Sequence, residues 1–362
     1  MTLVIENDAV ERVLTMGACI DALDTAFREY ATGGAVNRPR SHTYTDMSDA
    51  VGRGPGHHYL FKSMDGGIKS LGVHAIRLSS DLTHEFEREG RRRREKVPAA
   101  PGGRYVGLVL LFDMATLVPL AIMQDGFLQR MRVGATSALA ARHLARPESR
   151  VVGMIGTGWQ AGAQLLALHE RGDITDYRVY STNPERCRAF CQEFSARLGQ
   201  EVRPVASGRE AVDGADIVAL ATNSQDPVID GAWLVPGQHI GSVQGHELDW
   251  ASLQRAHLVG VRSREEATFH HAPGRAPVEA AERKQPDEHI QAKMAELGDI
   301  VIGKAGRTSP EQITLFTGGG TGASSGLGIQ FTAVAAAVYE AVRAAGEGHE
   351  LPTEWFTETY RP

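Results

Sequence analysis

The sequence contains little cysteine and no long apolar run, and both absences exclude classes of protein. Among 362 residues there are three cysteines, Cys19, Cys187 and Cys191. Such a small, odd number is typical of reduced thiols, so we expect a cytoplasmic protein without a disulfide framework. Cys187 and Cys191 could share a helix face, but two thiols without a nearby histidine do not predict a metal site. No segment approaches the roughly 20 apolar residues of a membrane-spanning helix, and no basic stretch leads into an apolar one at the N-terminus.

Basic residues are also too few to predict nucleic-acid binding. Lysine and arginine total 38 against 44 acidic residues, which gives a net charge of −6, and only six of the 38 are lysines. A basic footprint for nucleic acid is therefore absent. The 42% hydrophobic and 23% charged content suits a packed globular chain. At roughly 100–200 residues per domain, the length predicts two domains.

Glycine, in contrast, is abundant, with 40 residues. There is no three-residue repeat, so the chain is not collagen-like. We expect the glycines where the backbone turns tightly or approaches a ligand closely. They concentrate in two places, residues 153–162 and residues 318–328.

The order of apolar and polar segments predicts an α/β fold. From residue 151 onward, short apolar runs alternate with helical patterns, which favours a doubly wound parallel sheet of the Rossmann type. The first 34 residues have helical periodicity, residues 68–78 are predicted as one strand, and residues 327–345 as a long helix. Residues 81–103 carry four consecutive arginines flanked by glutamates and are interpreted as a solvated surface loop, with phosphate or partner binding as the alternative.

A glycine-rich turn between a strand and a helix predicts a dinucleotide site. The strand at residues 151–155 runs into Gly156-Thr157-Gly158-Trp159-Gln160-Ala161, which has the G-x-G-x-x-A pattern. Gly156 allows the tight turn, Gly158 allows the backbone to approach a pyrophosphate, and Ala161 allows close packing of helix on strand. The helix N-terminus then offers free N–H groups to the phosphates.

The second strand of this unit favours NADP(H) over NAD(H). An NAD site usually has an acidic residue there for the ribose hydroxyls. In this sequence Ser181, Thr182, Asn183 and Arg186 follow the strand, and all four can donate to a 2′-phosphate. Further along, Thr222, Asn223 and Ser224 end another strand and are candidates for the nicotinamide crevice.

Several motifs, in order along the chain, resemble the ornithine cyclodeaminase/mu-crystallin family. They include Gly67-Ile68-Lys69, the segment 132–140 that begins Arg-Val-Gly-Ala-Thr-Ser, and the turn at Gly156. The resemblance covers about residues 35–348. It implies a Rossmann-like domain at residues 132–321 and an α+β substrate and dimerisation domain built from residues 1–131 and 322–362, with two subunits pairing through the latter.

The resemblance also implies hydride transfer between a nicotinamide and the α-carbon of an amino or imino acid. Arg132 and Arg40 would hold the substrate carboxylate, a role that suits bidentate guanidinium groups. Lys69 would handle the proton at nitrogen, and we expect it on an apolar strand where burial lowers its pKa. Arg38 competes with Arg40 for the same position, and Arg77 is a further candidate on the face of Lys69. A helix-start role for Arg132, paired with Asp125, is the structural alternative.

Some positions depart from the family pattern. The acidic residue that follows a later strand in the cyclodeaminases is absent, and Ser242, Gln244 or Glu247 occupies its place; Ser242 is counted as a candidate cofactor contact. This departure favours an NADP(H)-dependent imine reductase or amino-acid dehydrogenase. The alternatives are a cyclodeaminase-like lyase with bound NAD and a non-enzymatic NADPH-dependent binder of small molecules.

Overall fold

The computed structural model describes every residue except 50–52, 89–90, 265–268, 272–287, 319–325 and 361–362. The helices in the described part are α1 (Asn7–Val13), α2 (Met16–Ala31), α3 (Gly126–Leu144), α4 (Trp159–His169), α5 (Pro184–Leu198), α6 (Gly208–Val212), α7 (Trp250–Arg255), α8 (Glu288–Ala292), α9 (Leu297–Val301) and α10 (Gly328–Ala345). The strands are β1 (Thr2–Ile5), β2 (Ala35–Asp46), β3 (His57–Ile68), β4 (Val73–Arg88), β5 (Arg91–Val97), β6 (Val106–Asp113), β7 (Pro119–Gln124), β8 (Val151–Ile155), β9 (Asp176–Tyr180), β10 (Val202–Pro204), β11 (Ile217–Leu220), β12 (His239–Ser242), β13 (Leu258–Val261), β14 (Phe269–His271), β15 (Met294–Glu296), β16 (Thr314–Thr317) and β17 (His349–Leu351).

The chain divides into two compact units, and the first is an α+β unit. It contains Met1–Arg132, Gly326–Pro362 and the short strand β14. Its sheet has the order β14-β2-β3-β4-β6-β7-β1-β17, with β5 paired to β4. The long neighbours β2, β3, β4 and β6 are antiparallel. Helix α10 packs on β3, β4 and α2, and its face towards them is apolar and buried.

Two expectations for this sheet were wrong. Residues 81–103 do not form a loop, because β4 continues to Arg88 and pairs with β5 as a hairpin. Glu85 lies opposite Arg94 in the register of that hairpin, so the mixed charges stabilise cross-strand pairs rather than solvate a loop. Residues 68–78 are also not one strand: β3 ends at Ile68, and β4 begins at Val73 after a turn closed by Gly72, whose φ is +64°.

The second unit contains the predicted parallel sheet, in the order β10-β9-β8-β11-β12-β16-β13-β15. Every pair in it is parallel. Strand β8 is the third of the eight, with β9 and β10 following on one side of it and β11 and β12 on the other. Apolar clusters cover the two faces, one built with α4 and α5 and the other with α6 and α7. The doubly wound α/β fold expected from the sequence is therefore confirmed.

Helices α3 and α10 position residues of the candidate site. Helix α3 begins at Gly126, so Arg132 lies in its second turn. Helix α10 matches its predicted range and ends at Gly346 in the left-handed region. Among the described helices, none has both the length and the apolar character needed to cross a bilayer.

Candidate active site

The glycine-rich turn lies where three parallel strands of the second unit end. The Gly156 N–H donates to Tyr180 O at 2.9 Å, and the Ala221 N–H donates to Ile155 O at 3.0 Å. Gly156 has φ +117°, and a Cβ there would lie 2.2 Å from Ala221 O. Only glycine fits this position. The turn is thus at the reversal of strand order, where doubly wound sheets bind their ligands.

The first turn of α4 offers an open cradle for an anion. Gly158 is its N-cap, no side chain caps the helix, and a Cβ on Gly158 would meet nothing within 4 Å. The Oε1 atom of Gln160 is buried without a hydrogen-bond partner among the described residues. Ala161 is fully buried, Thr157 is half-buried and Trp159 is exposed. Free N–H groups beside empty space fit the pyrophosphate of a dinucleotide.

The polar residues after β9 lie around the start of α5. Ser181 is half-buried, whereas Thr182, Asn183 and Arg186 are exposed. The Oδ1 atom of Asn183 accepts from the Arg186 N–H at 2.9 Å, so this side chain caps α5. The guanidinium of Arg186 has no ion pair in the part of the chain that the structure describes, and no acidic residue stands at 181–184.

Glu247 ties together the loops that follow β11 and β12. Its carboxylate is fully buried and accepts from the N–H and Oγ1 of Thr222 at 2.6 and 2.8 Å. It also accepts from the Gln244 N–H at 2.9 Å and from Ser242 Oγ at 3.2 Å. Both carboxylate oxygens of Glu247 therefore accept hydrogen bonds from these loops. This does not favour Glu247 as the substitute for the missing cyclodeaminase acid. Of the neighbouring candidates, Asn223 is exposed and Ser224 is half-buried.

In the first unit, two of the predicted arginines converge. A Cβ on Gly326 would lie 2.8 Å from Nη2 of Arg40 and 3.0 Å from Nη1 of Arg132. Arg132 is buried, and it donates to Gln129 Oε1 at 2.8 Å and Gln330 Oε1 at 3.2 Å. Both guanidinium groups therefore lie just before the N-terminus of α10. Guanidinium groups beside a helix N-terminus have the charge and geometry to bind a carboxylate.

The competing arginines have other partners. Arg38 forms an ion pair with Asp65, which also lies 3.3 Å from Nε2 of His74. Arg77 pairs with Asp125 at 2.7 Å, and both side chains are buried. The alternative in which Arg132 pairs with Asp125 is therefore wrong.

Lys69 is not where the sequence indicated. It lies in the turn between β3 and β4 and is exposed. Its N–H donates to Gly34 O at 2.9 Å, and its carbonyl accepts from the Gly72 N–H at 3.1 Å. The expectation that it lies on an apolar strand is wrong, because the turn interrupts the strand directly after Ile68.

Lys62, which sequence reasoning missed, is a largely buried lysine of the first unit, with 16% of its side chain exposed. Its Nζ lies 3.1 Å from Oδ2 of Asp81, and Lys96 Nζ lies 2.8 Å from Oδ1. Burial lowers the pKa of Lys62 to about 7, although the Asp81 carboxylate opposes this shift. The available signal was the position of Lys62 between Leu60 and Met64, on the apolar face of an alternating strand.

The described residues offer no group of three ligands for a metal ion. Cys187 and Cys191 are buried on α5, and burial raises the pKa of the Cys191 thiol to about 12. Such a thiol is an inert part of the core rather than a ligand or nucleophile.

Comparison with known proteins identifies the family. The model of the ornithine cyclodeaminase/mu-crystallin family matches residues 94–346, more than half of the chain. The chain belongs to this family. A Δ1-pyrroline-2-carboxylate reductase of Bacillus cereus is 34% identical over 251 residues, which cover 68% of this chain and 74% of that protein.

Solved structures of similar proteins match the fold over nearly the whole length of the chain. The Thermococcus litoralis Δ1-pyrroline-2-carboxylate reductase, in complex with NADH and L-proline, is 29% identical with a TM-score of 0.76, covering 97% of this chain and 100% of that one. An archaeal alanine dehydrogenase dimer with bound NAD is 27% identical with a TM-score of 0.75, covering 97% and 99%. The expected membership in the ornithine cyclodeaminase/mu-crystallin family is thus confirmed.

Proposed function

We propose that this chain is an NADP(H)-dependent imine reductase or amino-acid dehydrogenase that moves a hydride between the nicotinamide and the α-carbon of an α-imino or α-amino acid. The convergence of Arg40 and Arg132 on Gly326 carries the proposal. Such substrates always have an α-carboxylate, which two fixed guanidinium groups can bind. Relatives named as a pyrroline-2-carboxylate reductase and an alanine dehydrogenase support this substrate class.

The second unit has the residues to hold the cofactor, which supplies or accepts the hydride. The open cradle at Gly158, with the uncapped N–H groups of the first turn of α4, fits its pyrophosphate. Residues 222–224 and Ser242 follow strands whose ends border the nicotinamide crevice in such sheets. Two relatives are named with NADH or NAD. The preference of this chain for NADP(H) is proposed from the exposed Arg186 and from the absence of an acid at 181–184.

The substrate is proposed to bind through its carboxylate. Arg132 is held by Gln129 and Gln330, so its guanidinium is oriented before a ligand arrives. Arg40 adds a second charge from β2. The imine nitrogen must also gain a proton, and the family resemblance alone gives that role to Lys69.

We further propose a homodimer formed through the first unit. The alanine dehydrogenase relative is described as a dimer. Light scattering coupled to size-exclusion chromatography should give twice the mass of one chain, and the mass of a single chain would contradict the proposal.

The central experiment is a cofactor-resolved activity screen. Purified protein is mixed with NADPH or NADH and with cyclic imines or mixtures of a 2-oxo acid and an amine. We expect NADPH oxidation with at least one α-imino acid, and a loss of kcat/KM of about 10- to 150-fold in Arg132→Met, because a charged hydrogen bond contributes about 1.5–3 kcal/mol. Arg343→Met, on the exposed end of α10, is the matched control.

Three outcomes separate the hypotheses. NADPH binding without turnover across the whole panel would contradict the enzyme and favour the non-enzymatic binder. Release of ammonia from ornithine without added cofactor would favour the lyase. Equal rates with NADH and NADPH would contradict only the cofactor preference.

A further inference from the structure

Lys62 lies on the face of β3 that carries the arginine site. Side chains alternate along a strand, so Lys62 shares a face with Met64 and Gly66. A Cβ on Gly66 would lie 2.7 Å from the Ile329 nitrogen, near the start of α10. Across the β3–β4 register, Lys62 lies opposite Ser79 and Met64 lies opposite Arg77. The lysine therefore lies beyond the N-terminus of α10 on the same face.

The same register indicates that the Lys62 side chain can reach a substrate bound at the two arginines. Arg40 is in the irregular part of β2, between Arg38 opposite Asp65 and Ser41 opposite Ser63, and so lies beside Met64. Two strand residues span about 6.7 Å, which is the step from Met64 to Lys62. The nitrogen of an α-imino acid is attached to the carbon next to its carboxylate. A carboxylate held by Arg40 and Arg132 would bring that nitrogen within reach of the flexible four-carbon lysine side chain.

Asp81 holds the ammonium group in place. The carboxylate is buried and accepts from Ser79 Oγ at 2.9 Å, in addition to its contacts with Lys62 and Lys96. One carboxylate is thus shared by two ammonium groups, and Arg77 on the same strand, which is itself paired with Asp125, also lowers the pKa of Lys62. This excess of positive charge, together with burial, makes the loss of a proton from Lys62 easier than from an exposed lysine.

We propose that Lys62 gives the proton to the imine nitrogen, with Asp81 as the residue that positions it. The proposal rests on the proposed function and refines it. Lys69, which the family resemblance selects, lies in the turn at the far end of β3 and is exposed. Among the described lysines, Lys62 is the one that is largely buried on the face of Arg40 and Arg132.

The step balances in atoms and electrons. The hydride pair forms the new C–H bond at the α-carbon, and the C=N π pair forms the new N–H bond with the proton of Lys62. The substrate is reduced, the nicotinamide is oxidised, and the neutral amine of Lys62 regains a proton from water. In the oxidative direction the neutral amine accepts the proton instead.

The pH dependence follows from the groups that surround Lys62. These are His42 and Arg40 on β2, Arg77 and Asp81 on β4, and Lys96 on β5. Burial, Lys96 and Arg77 lower the pKa of Lys62 and Asp81 opposes them, with a net value of about 7. Because reduction needs the protonated form, kcat for imine reduction should fall as the pH rises through about 7. Asp81→Asn should move this fall in kcat to lower pH, and Lys96→Met should move it to higher pH.

The test compares lysine variants of the full chain with NADPH and the best imine substrate. Lys62→Met should lower kcat by about 10²–10⁴-fold, the usual size of general acid catalysis, while NADPH binding and the unfolding temperature are kept. Lys62→Arg keeps the charge but cannot exchange its proton, so it should be slow as well. Ethylamine should restore part of the rate of Lys62→Ala. Lys304→Met, on an exposed loop, is the control.

The outcomes of this test are distinct from those of the proposed function. If the wild-type chain reduces no imine, the proposed function fails. If the wild type is active and Lys62→Met keeps both its kcat and its pH profile, only the role of Lys62 is overturned. Loss of the rate in Lys69→Met with a normal rate in Lys62→Met would assign the proton to Lys69. A slow Lys62→Arg that is folded and binds NADPH supports the proposal even if Lys62→Met does not fold.

Discussion

Arg77 and Asp125 form a buried ion pair in which Nε and Nη2 of Arg77 each lie 2.7 Å from Oδ2 of Asp125. The guanidinium also lies 5.4 Å from the centre of the Phe331 ring, and the guanidinium of Arg132 lies 4.8 Å from the same centre. The pair therefore links β4 and the residue before α3 to helix α10. Removing one partner would leave the other charge buried without compensation.

Asp125→Ala should therefore destabilise the protein strongly. Loss of one partner of a buried pair typically costs about 3–5 kcal/mol in the free energy of unfolding. Urea unfolding followed by circular dichroism measures the change. Glu340→Ala, which breaks an exposed pair with Arg343 on α10, is the control and should leave the unfolding midpoint nearly unchanged. A small effect of Asp125→Ala would mean that the pair contributes little.

The two glycines of the dinucleotide turn should respond differently to alanine. Gly156→Ala forces a side chain into a left-handed backbone and against Ala221 O, so we expect a loss of at least about 1–3 kcal/mol of stability. Gly158 has φ −89° and open space around its Cα, so Gly158→Ala should fold normally. It should nevertheless weaken NADPH binding at least tenfold, because the methyl group occupies the place of the phosphate. Thermal unfolding and fluorescence titration with NADPH separate these two effects.

The fold could be predicted where one physical signal dominated. The parallel sheet of the second unit follows from apolar strands buried on both faces, and the turn at Gly156 follows from a close approach that only glycine allows. The first unit was harder, because its strands mix charged and apolar residues. Glu85 and Arg94 looked like a solvated run, yet they face each other across a hairpin. Cross-strand pairing is not visible in the sequence of either strand alone.

The candidate site could be predicted only in part, because the fold brings together residues that are far apart in the sequence. Arg40 and Arg132 are 92 positions apart in the sequence, and only the fold shows that both lie beside Gly326. The role of Lys69 was inferred from a strand that the turn at Gly72 interrupts. Lys62 was not predicted, because its burial depends on a charged partner from another strand. That partner is Asp81, which lies opposite Leu60.

Discrimination between the two cofactors should depend on Arg186. Arg186→Gln removes a cation from the segment that follows β9, so we expect about tenfold weaker NADPH binding and unchanged NADH binding. Arg188→Gln changes another exposed arginine on the same helix and serves as the matched control. Fluorescence titrations with both dinucleotides give the comparison. Equal weakening of both cofactors, or of neither, would contradict a role in 2′-phosphate recognition.

Ionised Asp216 should stabilise the folded protein, and this contribution should be lost at acid pH. Burial raises the pKa of this carboxyl, but the N–H groups of Arg150 and Val151 and the guanidinium of Arg146 outweigh burial and lower it. The folded-state pKa is therefore below the unfolded value of about 3.8, so the contribution is present above pH 4 and is lost as the pH falls. Asp216→Asn should lower stability at pH 7 and flatten the decline below pH 4. Urea midpoints between pH 3 and 7 measure both effects, and a parallel decline in the two proteins would contradict this account.

Arg262 is a charge that the protein should be more stable without. It is almost fully buried after β13, and its Nε and Nη1 atoms have no hydrogen-bond partner among the described residues. Burial lowers its pKa to about 10, so the group is still charged at pH 7. The Phe316 ring centre lies 5.3 Å from Cζ of Arg262. Arg262→Met keeps the packing on this ring and removes the buried charge.

We expect Arg262→Met to raise the free energy of unfolding by about 1–3 kcal/mol, since replacing buried charges with apolar groups of similar volume is often stabilising. Arg307→Met should have the opposite effect, because Arg307 donates to the carbonyls of Leu144 and Gln312 at 2.8 and 2.5 Å. Urea unfolding of both variants beside the wild type measures the two signs. A destabilised Arg262→Met would contradict the expectation that this buried charge lowers the stability of the fold.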